Sequence, residues 1–216
     1  MRKFKKDLIL SLVMLAAFIL WTVLVCYVDV QPIGPRDSAV GFAAVNGLFH
    51  SWTGAHMTLY HITDWLGLVP VAVGFGFAIL GLVQWIRRKN ILKVDFSILV
   101  LGVYYLVVLA VYLLFEEVVI NCRPVLIDGY LEASYPSSTT MLVMCVTPTA
   151  TMQLKARIGS RGVCRCIAIV NAVFVAFMVI GRLISGVHWL TDIVGGVLLS
   201  AGLVMLYRCV CHLERK

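Results

Sequence analysis

Residues 96–120 read FSILVLGVYYLVVLAVYLLFEEVVI, and the first twenty of them carry no charge. An α-helix rises about 1.5 Å per residue, so this stretch can cross a hydrocarbon core of about 30 Å. Working outward, five more apolar stretches stand at about 8–28, 66–86, 137–154, 166–184 and 190–207. The whole chain follows the same trend: 61% hydrophobic, 13% charged, mean hydropathy +0.96 over 216 residues. Soluble domains hold roughly half apolar and a quarter charged residues, so a water-soluble globule and a disordered chain are both excluded. The expectation is an all-α polytopic bundle of six transmembrane helices forming one domain, 1–216. The first apolar run follows Arg2, Lys3, Lys5 and Lys6 but exceeds the 7–15 residues of a signal h-region, so it is expected as an uncleaved anchor.

Topology follows from the basic residues. Fifteen of the 18 Lys and Arg residues fall at the amino end, in the 87–93 and 155–165 connections, and in the tail. The positive-inside rule puts that side, with both termini, in the cytoplasm. Arg36, Arg123 and Arg182 fall on the opposite side with most of the acids, so any chemistry is expected at the extracytoplasmic face. Size and layout fit a bacterial inner membrane. The net charge of +7 is thus topological, and no aromatic-interleaved basic stretch points to nucleic acid. The seven cysteines contain no C-x-x-C pair, and Cys122 alone falls in an outer loop. A disulfide framework, a zinc site or a thiol-redox function is therefore not expected. The 29–65 connection is long, with an apolar segment near 40–52 expected as a short helix at the interface. Glycines 67, 74, 76 and 81 in the second span, and 195, 196 and 202 in the last, are expected to permit close helix packing, and Pro148 to kink the fourth span.

Polar groups at the rim of a membrane bundle are costly and are functional candidates by default. Residues 181–192 read GRLISGVHWLTD. His188 and Asp192 are four apart, a spacing that on one helical face lets the carboxylate reach the imidazole and fix its tautomer. Arg182 offers a planar fork for phosphate oxygens. Residues 121–124 read NCRP, where Pro124 ends the third span and fixes the exit of Arg123. Residues 135–140 read YPSSTT, a helix start with Pro136 in the first turn and hydroxyls at Ser137, Ser138 and Thr139. Each cluster alone has a plainer reading: Asp192 and Ser137 as helix caps, Arg123 as a snorkelling side chain.

Together, Arg123-Pro124, then Pro136-Ser137-Ser138, then Arg182-x5-His188-x3-Asp192 resemble the type 2 phosphatidic acid phosphatase (PAP2) superfamily in order and spacing. The resemblance implies a metal-independent, cofactor-free membrane phosphatase. His188 would be the nucleophile that forms a phosphohistidine and Asp192 its orienting carboxylate. Arg123, Arg182, Ser137, Ser138 and Thr139 would bind the phosphoryl group of a lipid phosphate or prenyl diphosphate. Two positions depart from the family: Glu116 stands where its first motif has lysine, and Thr139 where its second has the histidine that protonates the leaving group. The departures fit a diphosphate, whose leaving phosphate needs little help. They also fit a substitute acid (Glu116, Glu117, His50, His56 or His61), or a protein that binds or translocates phospholipid without hydrolysis. The sequence carries no signal of oligomeric state.

Overall fold

A computed structural model describes residues 2–212. Eight helices follow in order: α1 (Arg2–Tyr27), α2 (Ala43–Thr53), α3 (Met57–Leu66), α4 (Leu68–Arg88), α5 (Phe96–Glu117), α6 (Ser138–Arg157), α7 (Arg161–Ile184) and α8 (Leu190–Cys211). Single helical turns lie at Pro35–Asp37 and Ile91–Lys93, and no strand forms among the described residues. The tail residues Arg215 and Lys216 lie outside them.

α8 is the axis of the bundle, packing against α1 and α6. Its glycines are why. A Cβ on Gly202 would sit 2.7 Å from the Leu15 side chain of α1. One on Gly195 would meet the Tyr135 ring at 2.7 Å. Bare backbone at these points lets neighbours approach as they do at small-residue membrane interfaces. Polar contacts pin the same seams. Ser11 Oγ donates to the Gly202 carbonyl at 2.8 Å, Trp21 Nε1 donates to the Thr191 carbonyl at 3.1 Å, and Thr22 and Tyr135 share a hydroxyl hydrogen bond of 2.7 Å. Away from these seams the bundle is coated with exposed apolar side chains, among them Ile19, Phe75, Leu106 and Val170.

Two of the α4 glycines behave differently from expectation. A Cβ on Gly76 would meet nothing within 4 Å, and one on Gly74 would make only ordinary contact, 3.8 Å, with the Tyr105 ring. Gly67, Gly74 and Gly81 recur every seven residues on one face, and that face lines an apolar groove of about 940 Å³ walled by α4, α5 and α6. At Gly81 the expectation holds, since a Cβ there would lie 3.1 Å from the Ile98 side chain of α5, whereas at Gly74 and Gly76 the missing side chains leave space open.

Among the described residues, five segments are long and apolar enough to cross a membrane: Lys3–Tyr27, Met57–Arg88, Phe96–Glu117, Arg161–Ile184 and Leu190–Cys211. The second of them joins α3 to α4, so part of the expected outer loop is helix. α6 falls outside this set because Thr140, Thr147, Thr149 and Gln153, all buried, dilute its hydropathy. The short helix expected near 40–52 is present as α2, shifted a few residues toward the carboxyl end.

Candidate active site

The amino ends of α6 and α8 meet the carboxyl end of α7 at one end of the bundle, beneath the 118–137 loop and the α2–α3 corner. The loop is tied down by its backbone: Arg123 N–H donates to the Glu132 carbonyl at 3.0 Å and Ser134 N–H to the Asn121 carbonyl at 2.9 Å. Trp189 Nε1 donates to the Cys122 carbonyl at 2.7 Å, joining this loop to the start of α8. On the other side, Gly186 has φ 68°, in the left-handed region that favours glycine. A Cβ there would also lie 1.7 Å from the Gly54 carbonyl oxygen. The chain turns there against the α2–α3 corner, where His56 N–H donates to the Ser185 carbonyl at 2.8 Å.

His188 sits on this turn, 3% exposed. Its Nδ1 lies 3.6 Å from Asp192 Oδ2. The two do not share a helical face as the spacing suggested, because His188 precedes the Trp189 N-cap of α8. The chain folds back across the cap instead. Asp192 is both cap and partner: Oδ2 accepts from Trp189 N–H at 2.9 Å, and Oδ1 accepts from Asn121 Nδ2 at 3.2 Å. The carboxylate facing the imidazole is therefore fixed from two sides. Neither ring nitrogen makes a well-directed hydrogen bond. Burial, reinforced by the Arg123 and Arg182 charges, holds the His188 pKa well below the usual histidine range, against a smaller opposing pull from the Ser134 backbone. The ring is neutral at physiological pH, the state nucleophilic attack requires.

Arg182 is 1% exposed. Its guanidinium lies over the Tyr60 ring at 4.9 Å, with Arg123 over the same ring at 5.8 Å. Nη1 of Arg182 donates to Thr63 Oγ1 at 3.4 Å and lies 3.6 Å from Asp64 Oδ1. Nε of Arg123 lies 3.0 Å from Glu132 Oε2. Nη1 of Arg123 and Nε of Arg182 are buried without a hydrogen bond, donors of the kind an anion would satisfy.

A sequence profile of the PAP2 superfamily matches residues 37–215. The chain belongs to the PAP2 superfamily. In fold it resembles a solved structure described as the first transmembrane PAP2-type phosphatidylglycerolphosphate phosphatase, from Bacillus subtilis. The TM-score is 0.55 and the identity 19%, over 95% of this chain and 96% of that one. No curated protein matches the chain. It is a multi-pass membrane protein with a PAP2 membrane fold.

Within this PAP2 frame the second motif is arranged differently from expectation. Pro136 precedes the helix, not within its first turn, and Ser137 is the N-cap, its Oγ accepting from Thr140 N–H at 3.4 Å. Ser137 N–H is occupied too, donating to the Asp192 carbonyl at 3.0 Å. That bond fixes α6 to α8. Ser138 and Thr139 follow in the first turn, where backbone N–H groups lack partners within the helix, and both line one end of the apolar groove with Asp64 and Gly67.

Of the five groups suggested as substitute acids, Glu116 borders a small cleft with Ser134, Tyr135 and Ser138. Glu117 closes α5, His50 packs on Trp189, and His61 packs on Tyr60. His56 is the residue before α3. Among the described residues none of the five pairs with either arginine. The residues that sequence reasoning missed are on α3: Tyr60, Thr63 and Asp64, one polar face at i, i+3 and i+4. That spacing was the available signal, hidden inside a segment taken for loop. Gly181 belongs with them, since a Cβ there would lie 2.9 Å from the Thr63 methyl, and a larger residue would push α3 off Arg182. Among the described residues no group of three or more His, Cys, Asp or Glu could hold a metal ion.

Proposed function

We propose that this protein hydrolyses a lipid phosphate or prenyl diphosphate at the extracytoplasmic face through a phosphohistidine, without metal. The observation that carries the reading is the buried His188, 3.6 Å from the Asp192 carboxylate, in a site with two guanidiniums that retain unpaired donors. Arg123 and Arg182 hold the phosphoryl group, with the N–H groups of Ser138 and Thr139 at its edge. Nδ1 of His188 faces Asp192, so Nε2 attacks in line, and water then cleaves the phosphoenzyme. The apolar groove supports a lipid as the substrate, because it ends at Ser138 and Thr139 and is long enough to take an acyl or prenyl chain beside α4. α6 crosses the membrane as a sixth span: its 20 residues reach about 30 Å, and its polar side chains face protein. An even number of spans, with the basic residues at the far end, supports a topology with both termini in the cytoplasm.

Release of phosphate from phosphatidate, phosphatidylglycerol phosphate and a prenyl diphosphate by purified protein, with and without chelator, tests this reading. His188→Ala is expected to lower kcat by about 10³-fold or more, the scale of losing a nucleophile. Wild-type protein quenched in alkaline detergent is expected to carry phosphate that is stable to base and released by acid. A second reading rests on Glu116 and Thr139: a PAP2 protein that binds or moves phospholipid without turnover. Equal, negligible release by wild type and His188→Ala would select it.

A further inference from the structure

Thr139 has no titratable proton, so on the proposed reaction something else must protonate the leaving oxygen of a phosphomonoester. We propose that Asp64 is that acid. Two independent observations converge on it. Its Oδ1 lies 3.6 Å from Arg182 Nη1, so the carboxyl stands beside the group that would hold the phosphoryl. It also lines the same end of the apolar groove as Ser138 and Thr139. A lipid whose tail fills that groove has its ester oxygen at this mouth. Glu132 pairs with Arg123 but lies outside the groove lining. Asp64 is 56% exposed in its side chain, Arg182 only 1%, so the carboxyl can yield its place on the guanidinium to an incoming phosphoryl group and draw a proton from water. A carboxylate and a phosphoryl anion sharing one guanidinium repel each other, and a shared proton relieves that repulsion. As Nε2 of His188 bonds to phosphorus, the P–O ester bond breaks. Its electron pair stays on the leaving oxygen, which takes the Asp64 proton to become an alcohol. Asp64, now a carboxylate and open to solvent, regains its proton from water. A second water attacks phosphorus, the P–N bond breaks with its electron pair returning to Nε2, and that water's proton passes to a phosphate oxygen. Phosphate leaves, and the acid is restored.

This assignment rests on the phosphatase reading, and dependence on leaving group separates the two. Full-length Asp64→Asn, Asp64→Glu and His188→Ala would be assayed against a long-chain alkyl phosphate, whose leaving alkoxide needs a proton, and p-nitrophenyl phosphate, whose phenolate does not. Expected is a loss of about 10²–10³-fold for Asp64→Asn on the alkyl ester, a loss of less than about threefold on the aryl ester, and partial recovery in Asp64→Glu. Monodisperse elution and an unchanged thermal midpoint in detergent serve as the folding control. Equal loss on both esters, or unchanged alkyl turnover, would overturn the Asp64 assignment while His188→Ala, inactive on both, left the phosphatase reading standing. Activity retained by His188→Ala, or a wild type inert toward both esters, would overturn both.

Discussion

The imidazole of His188 is kept uncharged by burial and by two guanidiniums, and that has a cost in acid. An unfolded histidine has a pKa of about 6.5, so below that pH the unfolded chain binds a proton the folded one refuses. The His188 contribution to stability is therefore complete above about 6.5 and is lost as pH falls toward the depressed native pKa. The thermal midpoint of detergent-solubilised protein is expected to fall between pH 7 and pH 5, and to fall less in His188→Gln. Turnover by wild type should survive into acid where an ordinary histidine would already be protonated, as a pH–rate profile would show. The candidate residues themselves were legible: His188, Asp192, Arg123 and Arg182 are polar types at the ends of apolar runs, and the structure does gather them. The means of gathering was not. A four-residue spacing suggests one helical face, whereas the contact is made across a helix cap.

At the scale of elements, α3 acts as a cradle for the two arginines. Its phenol ring lies under both cations, and cation–π contacts of this kind contribute about 0.5–2 kcal/mol. Tyr60→Phe keeps the ring face and is expected to bind inorganic phosphate or vanadate as wild type does. Tyr60→Ala should weaken that binding by roughly 3–30-fold, read from inhibition constants. Sequence reading passed over α3 because its ten residues are too short to span alone and mix Thr, His and Asp with apolar types. The helix becomes visible only through what it packs against, Gly181 and Arg182 of α7. In α4 the glycine spacing pointed to a tight interface, which holds at Gly81 against Ile98 but not at Gly74 or Gly76. Composition tells that side chains are missing from one face, and only the neighbours tell whether the space is filled.

For the whole molecule, the groove between α4, α5 and α6 gives the active end an apolar annex. Gly74→Leu would project into it. We expect KM to rise several-fold for a long-chain lipid phosphate and much less for a short-chain, water-soluble ester, which a chain-length series would reveal. The all-helical membrane class was legible from hydropathy alone, since lipid-facing helices must be apolar. α6 was the difficult element because a helix enclosed by protein is released from that demand.

α1 lies wholly outside the part of the chain that the family profile covers. Yet it holds α8 directly at two heights, Ser11 to Gly202 and Trp21 to Thr191, the residue next to Asp192, while Thr22 bonds Tyr135, whose ring lies against Gly195. It works as a splint along the helix that carries the carboxylate. A protein trimmed to the family boundary would keep every motif residue but bare a glycine-lined flank to lipid and lose the brace one residue from Asp192.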